Sequence, residues 1–315
     1  VNVFCLGLLR HEDLVLAIAT GEGNLAVLLG SATGRDGIGG ASVLASAGFA
    51  EGAEQKRPSV QVGDPFEEKR LIEACLELYE RKLVVGVQDL GAAGLSCAAS
   101  ETAAKGGMGM DVDVSAVPRR EPGMNPVEVM TSESQERMLA IVEPSRLADV
   151  LEVAQRWEVR ADVVGRVTTT GRFRVFEGDD ATPVADVPAG SLGDGPVYHR
   201  PLARPADLDV VQADDPAPVL RARLGASPDL AAELLALLAT PTIADKTWIH
   251  RQYDHKLFLN TVVGPGGDAA VLRLKGTRKA LALSTDGKAR FCKLDPVEGA
   301  RLVVMEAARN VACAE

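Results

Sequence analysis

Short apolar runs alternate with helical patterns through the first half of the chain, and this alternation constrains the fold more than any other feature of the sequence. Strands that alternate with helices are typical of a layered α/β domain, which is the fold class that we predict. Strands are predicted over residues 1–9, 83–87, 110–114, 137–142, 159–167 and 172–176, with a turn and buried strand over 21–30; helices are predicted from residue 64 onward, over 91–105 and over 144–157, with a helical turn over 125–131.

The clearest helix signal is the start at Asp64. An aspartate accepts hydrogen bonds from the first free backbone N–H groups of a helix, and Pro65 suits the first helical position. Glu67 and Glu68 place negative charge in the first turn, where the helix dipole favours it. Apolar residues then recur at helical spacing, at Leu71, Ile72, Cys75, Leu76 and Tyr79.

The second half of the chain begins with a change of composition. Residues 177–216 are rich in Asp, Pro and Gly and show little periodicity, so we predict a linker there. A helix capped at 227–229 is predicted to run to Ala239, and a second domain is predicted to begin near Thr242. The predicted elements of this second domain are strands over 262–275 and 280–285 and a helix over 296–313.

Composition and charge narrow the functional classes. The 315 residues are enough for two domains, and the net charge of −10 with scattered basic residues argues against a nucleic-acid partner. An acidic protein still binds phosphorylated small molecules through local amides, magnesium and a few cations. The five cysteines, an odd number without a C-x-x-C motif, predict reduced thiols and no zinc site. Without a long apolar stretch or a signal peptide, we expect a cytoplasmic protein with no membrane partner.

Residues 83–94 contain the first candidate site. Asp89 follows a buried-looking strand, and open α/β sheets bind ligands at the carboxyl ends of their strands. A lone carboxylate there suits a hard cation such as Mg²⁺ that carries phosphates. The alternative is that Asp89 only caps the following helix. The nearly side-chain-free stretch 90–94 fits either a ligand close to the main chain or a helix packed close to the sheet.

Three further stretches are candidates for ligand binding, each with a structural alternative. The loop 34–40 has four glycines, which allow a ligand to approach backbone N–H groups, but it lacks the ending of a phosphate-binding P-loop and is equally compatible with a plain turn. Gln61 alternates with Val60 and Val62 on a predicted short strand, where a buried amide needs partners unless it faces solvent. Glu133, Ser134 and Gln135 offer a carboxylate, a hydroxyl and an amide for a ribose or amide substrate, or form a polar turn.

Taken together, these stretches resemble the phosphoribosylformylglycinamidine synthase family, whose large subunit is called PurL. RPSVQVGDPFEEK, VGVQDLGAAGLSCAASETA, MTSESQERM and TGRDGIGG are similar to characteristic segments of that family. HRQYDHKLFLNTVV and ARNVACAE resemble the start of its second half, so that the resemblance covers essentially the whole chain. It implies PurM-like domains: the last strand of a first N-terminal domain over 1–22, a C-terminal domain over 23–188, a linker and connecting helix over 189–240, and part of a second N-terminal domain over 241–315.

The resemblance also implies a reaction and a set of residues. Family members convert formylglycinamide ribonucleotide, ATP and glutamine-derived ammonia to the amidine, ADP and phosphate. Gln61, Glu133, Ser134 and Gln135 match substrate-binding positions, and Asp89 matches a magnesium ligand. The implied cofactors are Mg²⁺ and ATP. The implied partners are a glutamine amidotransferase subunit, which supplies the ammonia, and a small bridging subunit.

The sequence departs from the family pattern in ways that affect activity. The segments that carry the family's catalytic histidine and ATP-binding lysine do not occur in this chain, so we expect no catalytic residue here, and we expect the chain to be inactive alone and part of a longer protein. In the second domain, Ser284 stands where the catalytic copy has that lysine, and Asp286 stands where it has a glutamate. Asp286 is therefore a candidate for an auxiliary nucleotide or metal site, and His250 for a non-catalytic remnant.

Two other classes remain open at this stage. One is another PurM-superfamily enzyme, such as an AIR synthetase or a selenophosphate synthetase, but such a chain should end after its single C-terminal domain, and residues 242–315 argue against that. The other is a non-catalytic module that binds a nucleotide or docks a partner, which the missing catalytic segments favour. The coding sequence that flanks this reading frame would separate the module from a synthase.

Overall fold

The structure is a computed structural model that describes residues 4–40, 61–193, 197–199, 201, 203–225, 229–253 and 255–314. Two compact units are present, Val1–Tyr198 and His199–Glu315, and each is described by itself.

The first unit is built on a mixed seven-stranded sheet in the order β2-β4-β1-β5-β3-β6-β7. Neighbouring strands are antiparallel except β3 and β6, which are parallel. The sheet confirms the predicted α/β class. The strands are β1 (Leu25–Gly30), β2 (Gly86–Asp89), β3 (Gly109–Asp113), β4 (Arg137–Val142), β5 (Ala161–Thr168), β6 (Arg172–Phe176) and β7 (Ala185–Pro188).

Helices cover both faces of this sheet. Side chains of β1 alternate between the two faces, with Ala26 and Leu28 in one apolar cluster and Val27 and Leu29 in the other. This strand is therefore buried on both sides, which explains its continuous apolar sequence. The helices are α1 (Pro65–Glu80), α2 (Gly94–Lys105), α3 (Pro126–Thr131), α4 (Leu147–Arg156) and α5 (Ala189–Gly193), with 3-10 turns at His11–Asp13, Val114–Ala116 and Pro144–Arg146.

Helix α1 begins as its sequence predicts. Asp64 Oδ1 accepts hydrogen bonds from Phe66 N at 3.0 Å and Glu67 N at 3.2 Å, and Pro65 is the first helical residue. Leu71 and Leu78 face one side of the sheet together with Val150 of α4. The capping groups fix where the helix starts, and the apolar stripe fixes the face that it buries.

Three sequence predictions are corrected by the first unit. The predicted strand over 1–9 is absent in its described part, where residues 4–10 form no ladder because none of the described strands lies beside them. Gln61 and Val62 lie in an irregular segment rather than a strand, and Val60 lies outside the described residues. The predicted linker over 177–216 begins too early in the chain. Its residues 185–193 form β7, which pairs with β6, and α5, which packs on α2.

The second unit contains a three-stranded antiparallel sheet in the order β10-β9-β8. The prediction of a single strand over 262–275 was wrong. The region forms two short strands, separated by a turn near Gly264 and Gly267. Asp229 caps α8, as the sequence predicted. Asp295 caps α11 in the same way. The elements are α6 (Leu208–Ala213), α7 (Ala217–Leu224), α8 (Leu230–Leu238), α9 (Thr247–His250), a 3-10 turn (Leu257–Leu259), β8 (Thr261–Val263), β9 (Ala270–Arg273), β10 (Ala280–Leu283), α10 (Ala289–Leu294) and α11 (Pro296–Ala312).

None of the helices in the described part of the chain is both long enough and apolar enough to span a bilayer.

The contact between α1 and α4 includes a carboxylate, that of Glu77. It accepts hydrogen bonds from Trp157 Nε1 at 2.8 Å and from Arg156 Nη1 at 2.7 Å. The Trp157 bond is the largest of the effects that hold the pKa of Glu77 below its ordinary value. The charged form of Glu77 is therefore favoured in the folded protein.

We expect Glu77→Gln to lower the melting temperature at pH 7. A carboxylate with a lower pKa in the folded state stabilises the fold above its unfolded pKa, and that contribution disappears as the pH falls through the folded value. The difference in melting temperature between wild type and variant should thus narrow below about pH 4. Glu152→Gln, which removes an exposed partner of Arg156, is the control and should change little. A difference that stays constant with pH would contradict this role.

Candidate functional site

The segment 132–137, which connects α3 to β4 and ends at the first residue of that strand, contacts a second predicted site residue from a distant part of the chain. Glu133 is only 1% exposed, and its Oε2 accepts a hydrogen bond from Gln61 Nε2 at 3.1 Å. Its Oε1 accepts another from the backbone N of Ala93 at 3.2 Å. A buried carboxylate needs such donors, because desolvation makes an unpaired one costly. Glu133 therefore joins the segment of Gln61 to the loop that follows Asp89.

A cavity of about 430 Å³ begins at Gln135, two residues after Glu133, and neither Glu133 nor Gln61 lines it. Asp89 and Gln135 line it together, so a third and a fourth predicted residue share one edge of the sheet. Its opposite wall is the exposed side of α1, including Ile72, Leu76 and Tyr79. The cavity is thus apolar on one side and carries carboxylate and amide groups on the other, a composition typical of small-molecule sites.

Asp89 is the last residue of β2 and is exposed, which confirms its predicted place at the end of a strand. The alternative that it caps the next helix is wrong: α2 begins at Gly94, after Ala93, and receives no side-chain cap. Among the described residues, the one side chain that donates a hydrogen bond to Asp89 is that of its neighbour Gln88, at 2.9 Å. Its carboxylate therefore remains directed at the cavity and accessible to a ligand.

The surroundings of Asp89 limit the kind of metal site that it can form. Among the described residues, no three His, Cys, Asp or Glu side chains are grouped so that they could hold a metal ion. Mg²⁺ commonly binds through one or two carboxylates, with the rest of its shell from substrate phosphates and water. The geometry at Asp89 therefore fits a magnesium ion carried by phosphates and does not fit an all-protein metal cage.

Ser134 faces the glycine loop. Its buried hydroxyl accepts a hydrogen bond from the backbone N of Gly34 at 2.9 Å and donates one to Asp36 Oδ1 at 2.7 Å. Gly37 has φ of +74°, and a Cβ there would lie 2.7 Å from the Cβ of Glu133. The glycine is required because the loop packs against Glu133, so the structural interpretation of this position is supported.

The glycine loop is also held from its other side. The guanidinium group of Arg35 pairs with Glu128 at 2.9 Å and with Glu121 at 3.2 Å. Glu128 belongs to α3, whose start is fixed by a capping box with Asn125. The loop therefore has charged partners on the segment before 132–137 and hydroxyl partners within it.

Two neighbours of the predicted tripeptide, Glu136 and Arg137, also belong to the site but were not predicted from the sequence. Glu136 has φ of +55°, and its Oε1 accepts a hydrogen bond from the backbone N of Asp64 at 2.8 Å. Burial, the largest effect, raises the pKa of Glu136. Arg137 is 3% exposed and donates hydrogen bonds to the carbonyl oxygens of Ser132 and Ser134. The available signal was an adjacent pair of charges directly before the apolar run of β4.

In the second unit, Asp286 lines a cavity of about 450 Å³ together with His255 and Asp268. Its Oδ1 accepts a hydrogen bond from Asn310 Nδ2 at 3.1 Å, and Ser284 Oγ donates to its Oδ2. The structure thus places Asp286 on a cavity wall with polar partners on both oxygens. Its function as an auxiliary site stays a prediction.

Comparison with known proteins identifies the family to which this fold belongs. The family model "AIR synthase related protein, C-terminal domain" matches residues 21–178, and the model "AIR synthase related protein, N-terminal domain" matches residues 266–314. The chain belongs to the AIR synthase related protein family. The order of the two matches, C-terminal domain first, confirms the predicted PurM-like arrangement.

Within that family the chain groups with PurL, and the resemblance found in the sequence is confirmed. It is 52% identical over 315 residues to the phosphoribosylformylglycinamidine synthase subunit PurL of Alkaliphilus metalliredigens, which covers 99% of this chain and 42% of that protein. The structure of T. maritima PurL complexed with FGAR is similar with a TM-score of 0.75 and 35% identity, covering 96% of this chain and 45% of that one. T. maritima PurL complexed with ATP matches with a TM-score of 0.67 and 33% identity, over 96% of this chain and 43% of that one. The chain therefore spans less than half the length of these relatives.

Proposed function

We propose that this chain is the part of an ATP-dependent phosphoribosylformylglycinamidine synthase that holds the substrate, formylglycinamide ribonucleotide, and a magnesium ion. The observation that carries the proposal is that segments far apart in sequence meet at residues 133–135: Glu133 accepts a hydrogen bond from Gln61, and Gln135 lines one cavity with Asp89. The similarity to T. maritima PurL complexed with FGAR, and to the same protein complexed with ATP, supports this choice of ligands.

The proposed roles follow from what each group offers. The amides of Gln61 and Gln135 and the carboxylate of Glu133 supply donors and an acceptor for the polar groups of the substrate. Ser134, whose hydroxyl binds Gly34 and Asp36, contributes by holding the tripeptide in place. Asp89 would hold Mg²⁺, and the bound ion would neutralise negative charge on the phosphates.

The proposed reaction transfers the γ-phosphoryl group of ATP to the amide oxygen of the substrate, after which ammonia adds to the carbon and phosphate leaves. Phosphoryl transfer depends mainly on positioning and on charge stabilisation. In this scheme Gln61, Glu133 and Gln135 orient the substrate, and no residue of the chain is assigned an acid–base role. A glutamine amidotransferase subunit and a small bridging subunit remain proposed partners, the cytoplasm the proposed location, and Asp286 a proposed auxiliary nucleotide or metal site.

Gln61→Ala in the full-length gene product tests the proposed substrate site. Hydrogen bonds to charged groups contribute about 1.5–3 kcal/mol, so we expect the KM for formylglycinamide ribonucleotide to rise roughly 10- to 100-fold. The KM for ATP should not change, because Gln61 is assigned only to the other substrate. Steady-state kinetics with ammonia as nitrogen donor measures both constants.

The matched control for this test is Gln155→Ala, which removes an exposed amide from α4. It should leave both KM values unchanged. If Gln61→Ala also leaves the KM for formylglycinamide ribonucleotide unchanged, Gln61 is not a substrate ligand. If the wild-type product neither binds nor converts this nucleotide, the proposed function is wrong.

A further inference from the structure

Arg137 is a buried cation with three separate hydrogen bonds. Its Nε donates to the carbonyl oxygen of Ser134 at 2.9 Å, and its Nη2 donates to the carbonyl oxygen of Ser132 at 2.7 Å. Its Nη1 donates to the hydroxyl of Thr33 at 2.9 Å. One guanidinium group therefore contacts both the tripeptide segment and the strand end that leads into the glycine loop.

The two carbonyl groups that Arg137 holds flank Glu133. The carbonyl group of Ser132 lies in the peptide unit before Glu133, and that of Ser134 lies in the unit after Ser134, so Arg137 holds the backbone at both ends of this two-residue stretch. The peptide unit between them is held through the Glu133 carbonyl oxygen, which accepts a hydrogen bond from Gln135 Nε2 at 3.0 Å. With these planar units held, the direction of the Glu133 side chain depends mainly on its own torsions. The Glu133 carboxylate is thereby kept within hydrogen-bond distance of Gln61 Nε2 and the backbone N of Ala93. The third bond, to Thr33, aligns the loop that supports Ser134.

Burying the charge of Arg137 costs desolvation free energy, which a residue that served only for packing would not need to incur. No carboxylate among the described residues lies within 4.0 Å of its guanidinium group, so all three bonds go to neutral oxygens. Burial lowers its pKa to about 10, with Asp36 raising it and Arg120 lowering it by smaller amounts. An apolar side chain of similar volume often serves packing as well as a buried ion. The planar fork reaches three oxygens in fixed directions, which a lysine cannot do.

We propose that Arg137 is a positioning residue for the substrate: by holding the carbonyl groups of Ser132 and Ser134 and the hydroxyl of Thr33, it keeps Glu133 and its partners Gln61 and Ala93 in binding geometry. This inference rests on the proposed function, because it assigns Arg137 to the same site. Arg137 itself does not touch the substrate in this scheme.

Arg137→Lys in the full-length gene product tests the inference. The variant keeps the positive charge but loses the fork, so we expect the KM for formylglycinamide ribonucleotide to rise tenfold or more, while the KM for ATP stays within about twofold and kcat changes less than the first KM. A purely structural role would lower the melting temperature without this split between the two substrates. Calorimetric titration with formylglycinamide ribonucleotide should show the same loss of affinity.

The matched control is Arg174→Lys. Arg174 makes a bidentate pair with Asp111, with Nε–Oδ1 at 2.7 Å and Nη2–Oδ2 at 2.6 Å, on β6 and β3 away from the cavity. This substitution should lower the melting temperature and leave both KM values unchanged. If Arg137→Lys does not fold, Thr33→Val removes only the acceptor of Nη1, and it should raise the same KM by a smaller factor.

The outcomes separate the inference from the function on which it rests. Wild-type protein that does not bind formylglycinamide ribonucleotide overturns the proposed function and, with it, this inference. Wild-type protein that binds it while both Arg137→Lys and Thr33→Val bind it equally well overturns the inference alone. If the KM values of both substrates rise equally, Arg137 stabilises the fold in general and does not position the groups that bind formylglycinamide ribonucleotide, and the inference is overturned.

Discussion

Asp89→Asn is expected to reduce kcat/KM of the full-length gene product about 100-fold at low magnesium, without unfolding the protein. Loss of a metal's charge stabilisation costs several kcal/mol, and each 1.36 kcal/mol is a factor of ten in rate. Asp89 is exposed, and its one side-chain hydrogen-bond partner in the described part of the chain, Gln88, is on its own strand. The melting temperature should therefore stay close to that of wild type. The apparent dissociation constant for Mg²⁺, measured by titrating the metal at a fixed nucleotide concentration, should rise as kcat/KM falls.

Asp111→Asn provides the control for Asp89→Asn. Asp111 is also a strand carboxylate of the same sheet, but it lies on β3, away from β2 in the strand order, and it pairs with Arg174 of β6. Its loss should lower the melting temperature and leave the magnesium dependence unchanged. If Asp89→Asn has the same apparent dissociation constant for Mg²⁺ as wild type, the carboxylate is not a metal ligand, even if the substitution lowers the melting temperature.

Gly94→Ala is expected to be the most destabilising single-methyl addition near the site. Gly94 has φ of +54°, and a Cβ there would lie 1.9 Å from the carbonyl oxygen of Ser132. The left-handed backbone costs an L-residue about 1–2 kcal/mol, and overpacking adds about 1–3 kcal/mol. At about 2–4 °C for each kcal/mol in a domain of this size, we expect a melting temperature roughly 10 °C lower.

Gly107→Ala separates the two contributions to that loss. Gly107 has φ of +65°, but no atom lies within 4 Å of the position of its Cβ. It should therefore show only the backbone cost, and a melting temperature about 2–8 °C lower. If the two variants melt at the same temperature, the close approach of α2 to Ser132 has no energetic consequence. The displaced Ser132 should also raise the KM for the nucleotide in Gly94→Ala but not in Gly107→Ala.

Local chemistry explains which parts of the fold could be predicted. The start of α1 depends on Asp64 and Pro65, which act within one turn, and the structure reproduces it. The placement of Asp89 at a strand end depends on where an apolar run stops, which the sequence also records. Each of these signals involves groups within a few residues of one another, so no knowledge of the remaining chain was needed.

Pairing between distant segments explains the errors. An apolar run such as residues 4–9 forms a strand only if another strand offers its N–H and C=O groups, and none of the described strands does so. Conversely, Ala185–Pro188 looks like linker because it is short and lies in an Asp- and Pro-rich region, yet β6 supplies it with a partner. Both outcomes depend on neighbours in space that a local pattern does not contain.

The sequence by itself determined the α/β class, the capped starts of α1 and α8, the strand end at Asp89 and, through long motifs, the family. Only the tertiary structure decided that Gln61 donates to Glu133, that Ser134 faces the glycine loop, and that Arg137 holds both segments. The physical reason is one of range. Caps and periodicities act within a turn or a strand, whereas a buried carboxylate or guanidinium group takes whichever donors and acceptors the packing of distant segments brings within 3 Å or so.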